Sequence, residues 1–486
     1  MERLLYLLER AVWSWPLLCL ILGTGLYLTV RLRFLPLRRL KKAMGLLFRP
    51  GEGTGVTPFG ALCTTLSATI GTGNLVGVAS ALALGGPGAL LWMEISAVTG
   101  MAVKYAEGFL AVRFRDRDPS GRPFGGPATY IVRGLGPRWR PLAVCFAALG
   151  AAAGLCGVGT FVQVGSITAC LSGYLTRCFP GASHVLLAGR SVPAAVVVTG
   201  LGLTLASALL IFRDIRVISR VSALLVPLMG GLYLVCCLWI LMGRLQVLPT
   251  VLIRVIRGAV RPEATFGGFF GAVSAGVSRG VFSNEAGLGT GPIAAASAEG
   301  VTPAEQGLVS MTASVFDTLL VCTMTGLVIL SVEGSLAQGG SWAVMEAFSA
   351  ALPLPTVCAR GLVVVCLTLF AFTTVVGWSF YGLRCLGFLT GNNAVAALVY
   401  RIVYVVTVFF APYFPVQSLW MAANICNGLM AVPNLIGILL LSPVVIRESL
   451  GTRRDFRRLI SCKRLIFRRK TDIIKHTVKF GEKYKC

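Results

Sequence analysis

Two stretches of this 486-residue chain decide its fold: Thr64-Thr65-Leu66-Ser67-Ala68-Thr69-Ile70-Gly71-Thr72-Gly73-Asn74-Leu75-Val76-Gly77 and Gly276-Val277-Ser278-Arg279-Gly280-Val281-Phe282-Ser283-Asn284-Glu285-Ala286-Gly287-Leu288-Gly289. Each sets glycines, hydroxyls and an asparagine inside a long apolar segment, at the depth where a bilayer midplane would lie. Glycine weakens a helix and admits unusual backbone angles. Unwound backbone inside a membrane must be satisfied by protein, water or ligand. A break therefore presents carbonyls that can hold a cation. At a half-helix N-terminus it also presents N–H groups that can hold a carboxylate. A zwitterionic amino acid together with a sodium ion is a natural occupant of such a pair.

A membrane-spanning helix needs roughly 20 apolar residues. Eleven segments qualify, at about 11–31, 57–84, 89–112, 141–176, 191–212, 217–242, 265–296, 308–331, 357–384, 394–413 and 417–446. The fourth is long enough to tilt or bend. The two unusual stretches fall in segments two and seven, five apart. An odd repeat of five inverts topology, so segments 2–6 and 7–11 read as two inverted halves, with segment one extra. A broken first helix in each half is a sequence pointer to a secondary-transporter site. Small residues also serve close helix packing, and single glycines would favour that explanation. Two matched breaks carrying Asn74 and Asn284 favour transport. The expected organisation is an N-terminal helix with a basic loop (1–56), a first five-helix repeat (57–264), a second (265–447) and a basic tail (448–486).

Composition agrees with an all-α polytopic membrane protein. The chain is 56% hydrophobic and 13% charged, with a mean hydropathy of +0.80. Soluble proteins carry about 25% charged residues, and one core could not hide this much apolar surface. The formal charge is +25, from 44 basic and 19 acidic residues. The basic residues lie in short loops and a tail, whereas a nucleic-acid binder gathers them on a soluble face. They follow segment one (Arg31, Arg33, Arg38, Arg39, Lys41, Lys42, Arg49), segment three (Arg113, Arg115, Arg117, Arg122, Arg133, Arg138, Arg140), segment five (Arg213, Arg216, Arg220) and segment eleven. All fall on one side of a cytoplasmic membrane if the N-terminus is outside and the C-terminus cytoplasmic. The loop holding Arg244, Arg254, Arg257 and Arg261 disagrees. In the tail, Leu459, Ile460, Leu465, Ile466, Ile473, Ile474 and Val478 recur among basic residues. That pattern suits an amphipathic helix on the anionic inner leaflet, or equally a disordered tail that only enforces topology. The cysteines are scattered and His184 and His476 lie in a loop and the tail, so no spacing points to a disulfide framework, a metal centre or another cofactor. The N-terminal segment lacks a small-residue cleavage site and reads as a retained helix.

Several motifs now become recognisable. The stretches TIGTGNLVGVASALALGGP (Thr69 to Pro87), GMAVKYAE (Gly100 to Glu107), GGPATYI (Gly125 to Ile131) and RGVFSNEAGLGTGPIAAASA (Arg279 to Ala298) resemble the sodium:alanine symporters, the alanine-or-glycine:cation symporter family. So do FTTVVGWSFYG (Phe372 to Gly382) and NGLMAVPNLIGILLLS (Asn427 to Ser442), and the matches run in order over nearly the whole chain. The resemblance implies a LeuT-like core of two inverted five-helix repeats plus one extra helix. It also implies cation-coupled uptake of alanine or glycine, usually with sodium.

On this reading the substrate residues are Thr72, Gly73, Asn74, Gln163, Phe282, Ser283 and Asn284. N–H groups near Gly73 and Asn74 would take the carboxylate, and oxygens near Phe282 to Asn284 the ammonium. Gln163 is polar within apolar segment four, and the resemblance places such a glutamine at the substrate; an interhelical hydrogen bond is the competing role. Phe282 and Trp378 would wall a small pocket. The LeuT-like fold implies a sodium site shared by the first repeat helix and segment nine, with carbonyls of Thr69 and Ile70 and hydroxyls of Thr373 and Thr374. Such hydroxyls can instead bond their own helix. Lys104 and Glu107 share a helix face. With Arg279, Glu285 and Asp317 they are expected to form ion pairs or a gate, with a proton relay as the alternative.

Three departures qualify the resemblance. Asn424 stands where an acid is expected before NGLM, Leu383 where a glutamate is expected after FYG, and Gly165 where an asparagine is usual after the glutamine. The first two remove negative charge, expected near the cytoplasmic half. Competing functions are a proton-coupled amino-acid transporter of the same fold, a channel and a membrane enzyme. Two unlike breaks do not form the repeated filter of a channel, and neither HExxH nor a P-loop pattern is present.

Overall fold

The computed structural model describes residues 2–49, 55–117, 121–178, 184–187, 190–260, 268–332, 334–338, 340–413 and 416–451. The architecture is all-helical, apart from short antiparallel pairs such as Asp116–Arg117 with Pro123–Phe124. Among the described residues eight helices are long and apolar enough to cross a membrane. A ninth span forms if Pro58–Thr69 and Gly73–Gly85, bent by 56° at a short break, are counted together. These nine match nine of the eleven expected segments.

The other two, segments four and seven, are interrupted. Segment four is two helices, Arg140–Cys156 and Phe161–Cys178, parted where Gly157 leaves helical geometry at φ −126°, ψ −123°. Segment seven is Gly268–Asn284 followed by Gly291–Ala295. Between them Glu285, Gly287 and Gly289 all have positive φ, at 54°, 87° and 84°. Glycine takes that region at no steric cost, but a glutamate there is strained by of order 1–3 kcal/mol. Its side chain must be held, as described below.

Burial separates core from periphery. Segment three, Gly88–Arg113, is 83% buried over its apolar window, whereas Ala394–Tyr413 is 22% buried and Ala194–Ile211 28%. Leu398, Val399, Ile402 and Val403 of the outer helix are exposed, as a lipid-facing surface requires. Segment three packs against segments seven and eight through small residues. Gly276 lies on the backbone of Ala89 and Met93, Gly280 on Ser96, Gly100 on Ala286, and Gly108 on Ser310. Such seams let helix backbones approach where hydrophobic burial supplies no driving force.

Several helices lie outside the expected spans, Pro127–Leu135 among them. Glu2–Val12 precedes the first span and is joined to it through Ser14, the N-cap of Trp15–Arg31. Leu40–Leu47 holds the basic loop, and Gly340–Ala351 lies between segments eight and nine. The loop whose arginines opposed the charge rule is the helix Leu248–Val260, with Val251, Val255 and Ala259 buried and Arg254 and Arg257 exposed. Residues Met1–Leu441 form one compact unit. The last helix is Val416–Leu450. The expected tail helix and His476 lie outside the described residues.

Candidate substrate and ion site

Segment two stops being helical where its glycines begin. Thr69 ends the first half, and Ile70 turns to extended geometry at φ −73°, ψ 94°. The chain re-enters through a wide π-helical turn, Gly73–Gly77, a form frequent at functional sites. The Asn74 side chain organises this break: its Oδ1 accepts the Gly71 N–H at 2.9 Å. Gln163 reaches across from segment four and accepts the Thr72 N–H at 3.2 Å. The Thr374 hydroxyl donates to the Ile70 carbonyl at 3.4 Å and to Phe370 O at 3.0 Å. Thr373 turns away, donating to Phe370 O at 2.9 Å and facing Met229 Sδ. The Thr69 hydroxyl bonds back to Leu66 O. Ile70 and Thr374 are therefore brought together, whereas the Thr373 hydroxyl is directed elsewhere.

Segment seven comes to the same place. Gly73 lies against Phe282 and Ser283, close enough that a Cβ there would sit 3.4 Å from each. Asn284 caps its own break through the Ala286 N–H at 2.9 Å, and donates to the Thr318 hydroxyl at 3.1 Å. Both breaks converge on Asp317. One carboxylate oxygen accepts Asn74 Nδ2 at 2.9 Å. The other accepts the Ser283 hydroxyl at 2.8 Å and the Thr318 hydroxyl at 2.8 Å. Asp317 sits in a second π-helical turn, Val315–Cys322, and has no exposed surface.

A second carboxylate holds the strained loop of segment seven. Glu107 Oε1 accepts the N–H groups of Gly287 and Gly289, both at 3.2 Å, and Asn434 Nδ2 at 2.8 Å. Successive N–H groups turned to one side by positive-φ residues make a natural anion cradle. Asn434 also donates to Gly287 O and receives Tyr130. Glu285 is fixed by Trp378 Nε1 at 3.1 Å and by the Thr290 hydroxyl, which restrains its left-handed backbone. Trp378, expected as a pocket wall, is thus tied to the segment-seven break. Lys104 is 1% exposed and within electrostatic reach of Glu107, Glu285 and Asp317. Its Nζ and Glu107 Oε2 have no hydrogen-bond partner among the described residues. Arg279 is not part of this cluster; it faces Glu9 and the Trp420 ring instead.

Thr72, Asn74, Gln163, Phe282, Ser283, Asn284 and Trp378 are each at most 4% exposed. A separate cavity of about 220 Å³ is lined by Arg122, Asp214, Ser379, Arg384, Arg401 and Tyr404 among others, and by none of these seven residues. Asn424 lies near the beginning of Val416–Leu450, where its carbonyl accepts Trp13 Nε1 at 2.9 Å. That is the end of the helix farthest along the chain from the basic tail. Sequence reasoning missed Thr290, Thr318 and Asn434. Asn434 and Thr290 both lay inside quoted motifs, so a signal existed; Thr318 is a single hydroxyl that stands out only in space.

Paired broken helices closing on a buried polar centre define a multi-pass membrane transporter, not an enzyme. The chain belongs to the sodium:alanine symporter family, whose profile matches residues 1–457. An uncharacterised transporter of Haemophilus influenzae is 42% identical, over 94% of this chain and 97% of that one. A protein named sodium/alanine symporter AgcS, from Methanococcus maripaludis, is 38% identical over 90% of this chain and 94% of its own. A probable sodium/glutamine symporter of Bacillus subtilis, GlnT, is 34% identical over 92% and 89%. Among solved structures, MhsT in complex with L-phenylalanine is similar with a TM-score of 0.58 at 14% identity, covering 80% of this chain and 90% of that one. That likeness speaks for the fold, which is LeuT-like.

Proposed function

We propose that this transporter carries alanine or glycine into the cell by sodium-coupled symport, with alternating access around the paired breaks. The observation that carries the reading is the meeting of both broken segments on one buried carboxylate, Asp317, through Asn74 and Ser283. A zwitterion and a sodium ion together bring two positive charges and one negative. A carboxylate shared by both breaks balances them. In this reading N–H groups at Gly73 and Asn74 receive the substrate carboxylate. Gln163, Phe282, Ser283 and Asn284 surround the small side chain and ammonium, with Thr72 and Trp378 beside them. The carbonyls of Thr69 and Ile70 with the Thr374 hydroxyl hold sodium, and Thr373 joins them only after a rotation. The alanine preference rests on the relative named as a sodium/alanine symporter. The relative named for glutamine marks substrate range as the feature that varies among such proteins.

The two halves of the motion are the repeats 57–264 and 265–447, with the N-terminus outside and the C-terminus cytoplasmic. The arginine-lined cavity is then the cytoplasmic mouth, and the basic tail meets anionic headgroups of the inner leaflet. Uptake of labelled alanine by proteoliposomes tests the reading, with an inward sodium gradient set against an equal choline gradient. Accumulation with sodium alone supports it. A proton-coupled alternative is favoured by one observation, a Lys104 Nζ with no hydrogen-bond partner among the described residues and within electrostatic reach of Glu107. Accumulation with either cation that an uncoupler abolishes would replace sodium by protons.

A further inference from the structure

The N-terminal helix Glu2–Val12 makes contacts that the transport reading above does not use. Glu9 faces inward from it, 20% exposed, and lies 4.0 Å from the Arg279 guanidinium, itself 16% exposed. The Glu9 carboxylate also accepts a hydrogen bond from Asn424 Nδ2. Four residues further on, Trp13 is buried and donates to Asn424 O at 2.9 Å. Gly428, one turn below Asn424, leaves room for this docking, since a Cβ there would meet Val12, Leu17 and Trp13. The contacts continue toward the site. Arg279 lies over the Trp420 ring at 5.8 Å. Trp420 packs against Phe282 with ring centroids 4.9 Å apart. Phe282 adjoins Ser283, whose hydroxyl is on Asp317.

We propose that Glu9 is the anionic half of a gate over one mouth of the substrate site, with Arg279 as its cationic half and Asn424 as its anchor. The argument is one of charge. Arg279 stands one helical turn before Phe282 on the broken segment. Asn424 is uncharged where an acid was expected, so it cannot neutralise Arg279 from the last helix. It can hold a carboxylate that does, and Glu9 supplies one. The negative charge that faces Arg279 thus comes from the N-terminal helix. The pair ties three separate elements together, and separating them frees Trp420 and Phe282 to move off the site. Glu9 is a positioning residue: it acts on substrate access through Arg279. This inference rests on the transport reading for its consequence but not for its test.

The first measurement needs no substrate. Amide hydrogen exchange across 279–290 is compared among the native chain, Glu9→Gln, Asn424→Asp and the double variant Glu9→Gln/Asn424→Asp in detergent. Glu9→Gln is expected to speed exchange there by roughly five- to tenfold. The double variant, with its carboxylate placed on the last helix, is expected to fall within about twofold of native. Sodium-driven alanine uptake is read on the same proteins and should follow the same order. Equal exchange in Glu9→Gln and the native chain overturns the proposal. So does a Glu9→Gln defect of the same size whether position 424 is Asn or Asp, because charge relocation would then restore nothing. If Glu9→Gln does not fold, Glu9→Asp replaces it: near-native exchange supports a charge role, and native-like exchange in a folded Glu9→Leu variant sinks it. Failure of alanine uptake in the native chain, with the exchange pattern intact, would reopen the substrate and leave the gate standing.

Discussion

Asn74 and Asp317 lie 2.9 Å apart, amide nitrogen to carboxylate oxygen, although 243 residues separate them in the chain. The same asparagine accepts the Gly71 N–H. One side chain thus fixes the backbone of the first break and joins it to the carboxylate that also holds the second. Geometry at either break is transmitted to the other through two hydrogen bonds.

Replacing Asp317 by Asn keeps the size and some of the hydrogen bonding but removes the charge. Sodium-driven alanine uptake is expected to fall at least about 100-fold, equivalent to roughly 2.7 kcal/mol, while gel filtration shows folded protein. Ser283→Ala deletes one bond to the same carboxylate and should cost about tenfold or less. Near-native uptake by Asp317→Asn would remove Asp317 from the site.

Gly71 and Gly77 make a matched pair of substitutions. A Cβ on Gly71 would lie 2.6 Å from Thr374 Oγ1 and 3.1 Å from Gln163 Oε1, whereas one on Gly77 meets nothing within 4 Å. Gly71→Ala should raise the sodium concentration for half-maximal uptake by about tenfold, roughly 1.4 kcal/mol, by pushing Thr374 aside. Gly77→Ala should leave transport intact and raise thermal stability by about 0.4–1 kcal/mol. The reverse order would mean that the break is not shaped by these contacts.

The adjacent threonines of segment nine should behave differently. Thr374 donates to the Ile70 carbonyl, and Thr373 does not. Thr374→Val is expected to weaken apparent sodium affinity about fivefold or more, roughly 1 kcal/mol, and Thr373→Val by less than twofold. Sodium titrations of uptake at fixed alanine distinguish them. Equal effects would show that Thr373 rotates into the site when sodium binds.

Lys104 faces three buried carboxylates, so its loss should be felt as stability before it is felt as transport. Lys104→Met leaves uncompensated negative charge and is expected to cost about 3–5 kcal/mol, read as a lowered thermal midpoint in detergent. Adding Glu107→Gln removes one of those charges while keeping an acceptor for the Gly287 and Gly289 N–H groups. The double variant should recover part of the loss. A double variant as unstable as the sum of the singles would mean that Lys104 and Glu107 act independently.

Much of this was legible in the residues. The breaks declared themselves because glycine and asparagine are costly in a membrane helix, and their spacing by five segments named the transporter class. What failed had a local cause. Segment four looked like one long span because hydropathy averages over Gly157, where backbone angles and not polarity end the helix. Asp317 read as a gate or relay because it stands alone in its segment, and its partners in the two breaks are more than thirty residues away in sequence. Thr373 and Thr374 could not be told apart because side-chain direction depends on helix rotation. Glu9 carried no signal, since one acid in an amphipathic N-terminal helix is an ordinary surface residue until the fold places it against Arg279.

The glycine seam along segment three sets where the molecule can bend. With Gly276, Gly280, Gly100 and Gly108 at the contacts, segments three, seven and eight approach closely, with Trp92 and Met93 the larger neighbours at Gly276 and Gly280. Backbones brought this close through small residues leave little room for one helix to slide past another. These three segments therefore travel as a block, and any shear in the transport cycle falls at the borders of that block. Asn74 crosses such a border, joining segment two to Asp317 of segment eight, so it is placed to register the motion.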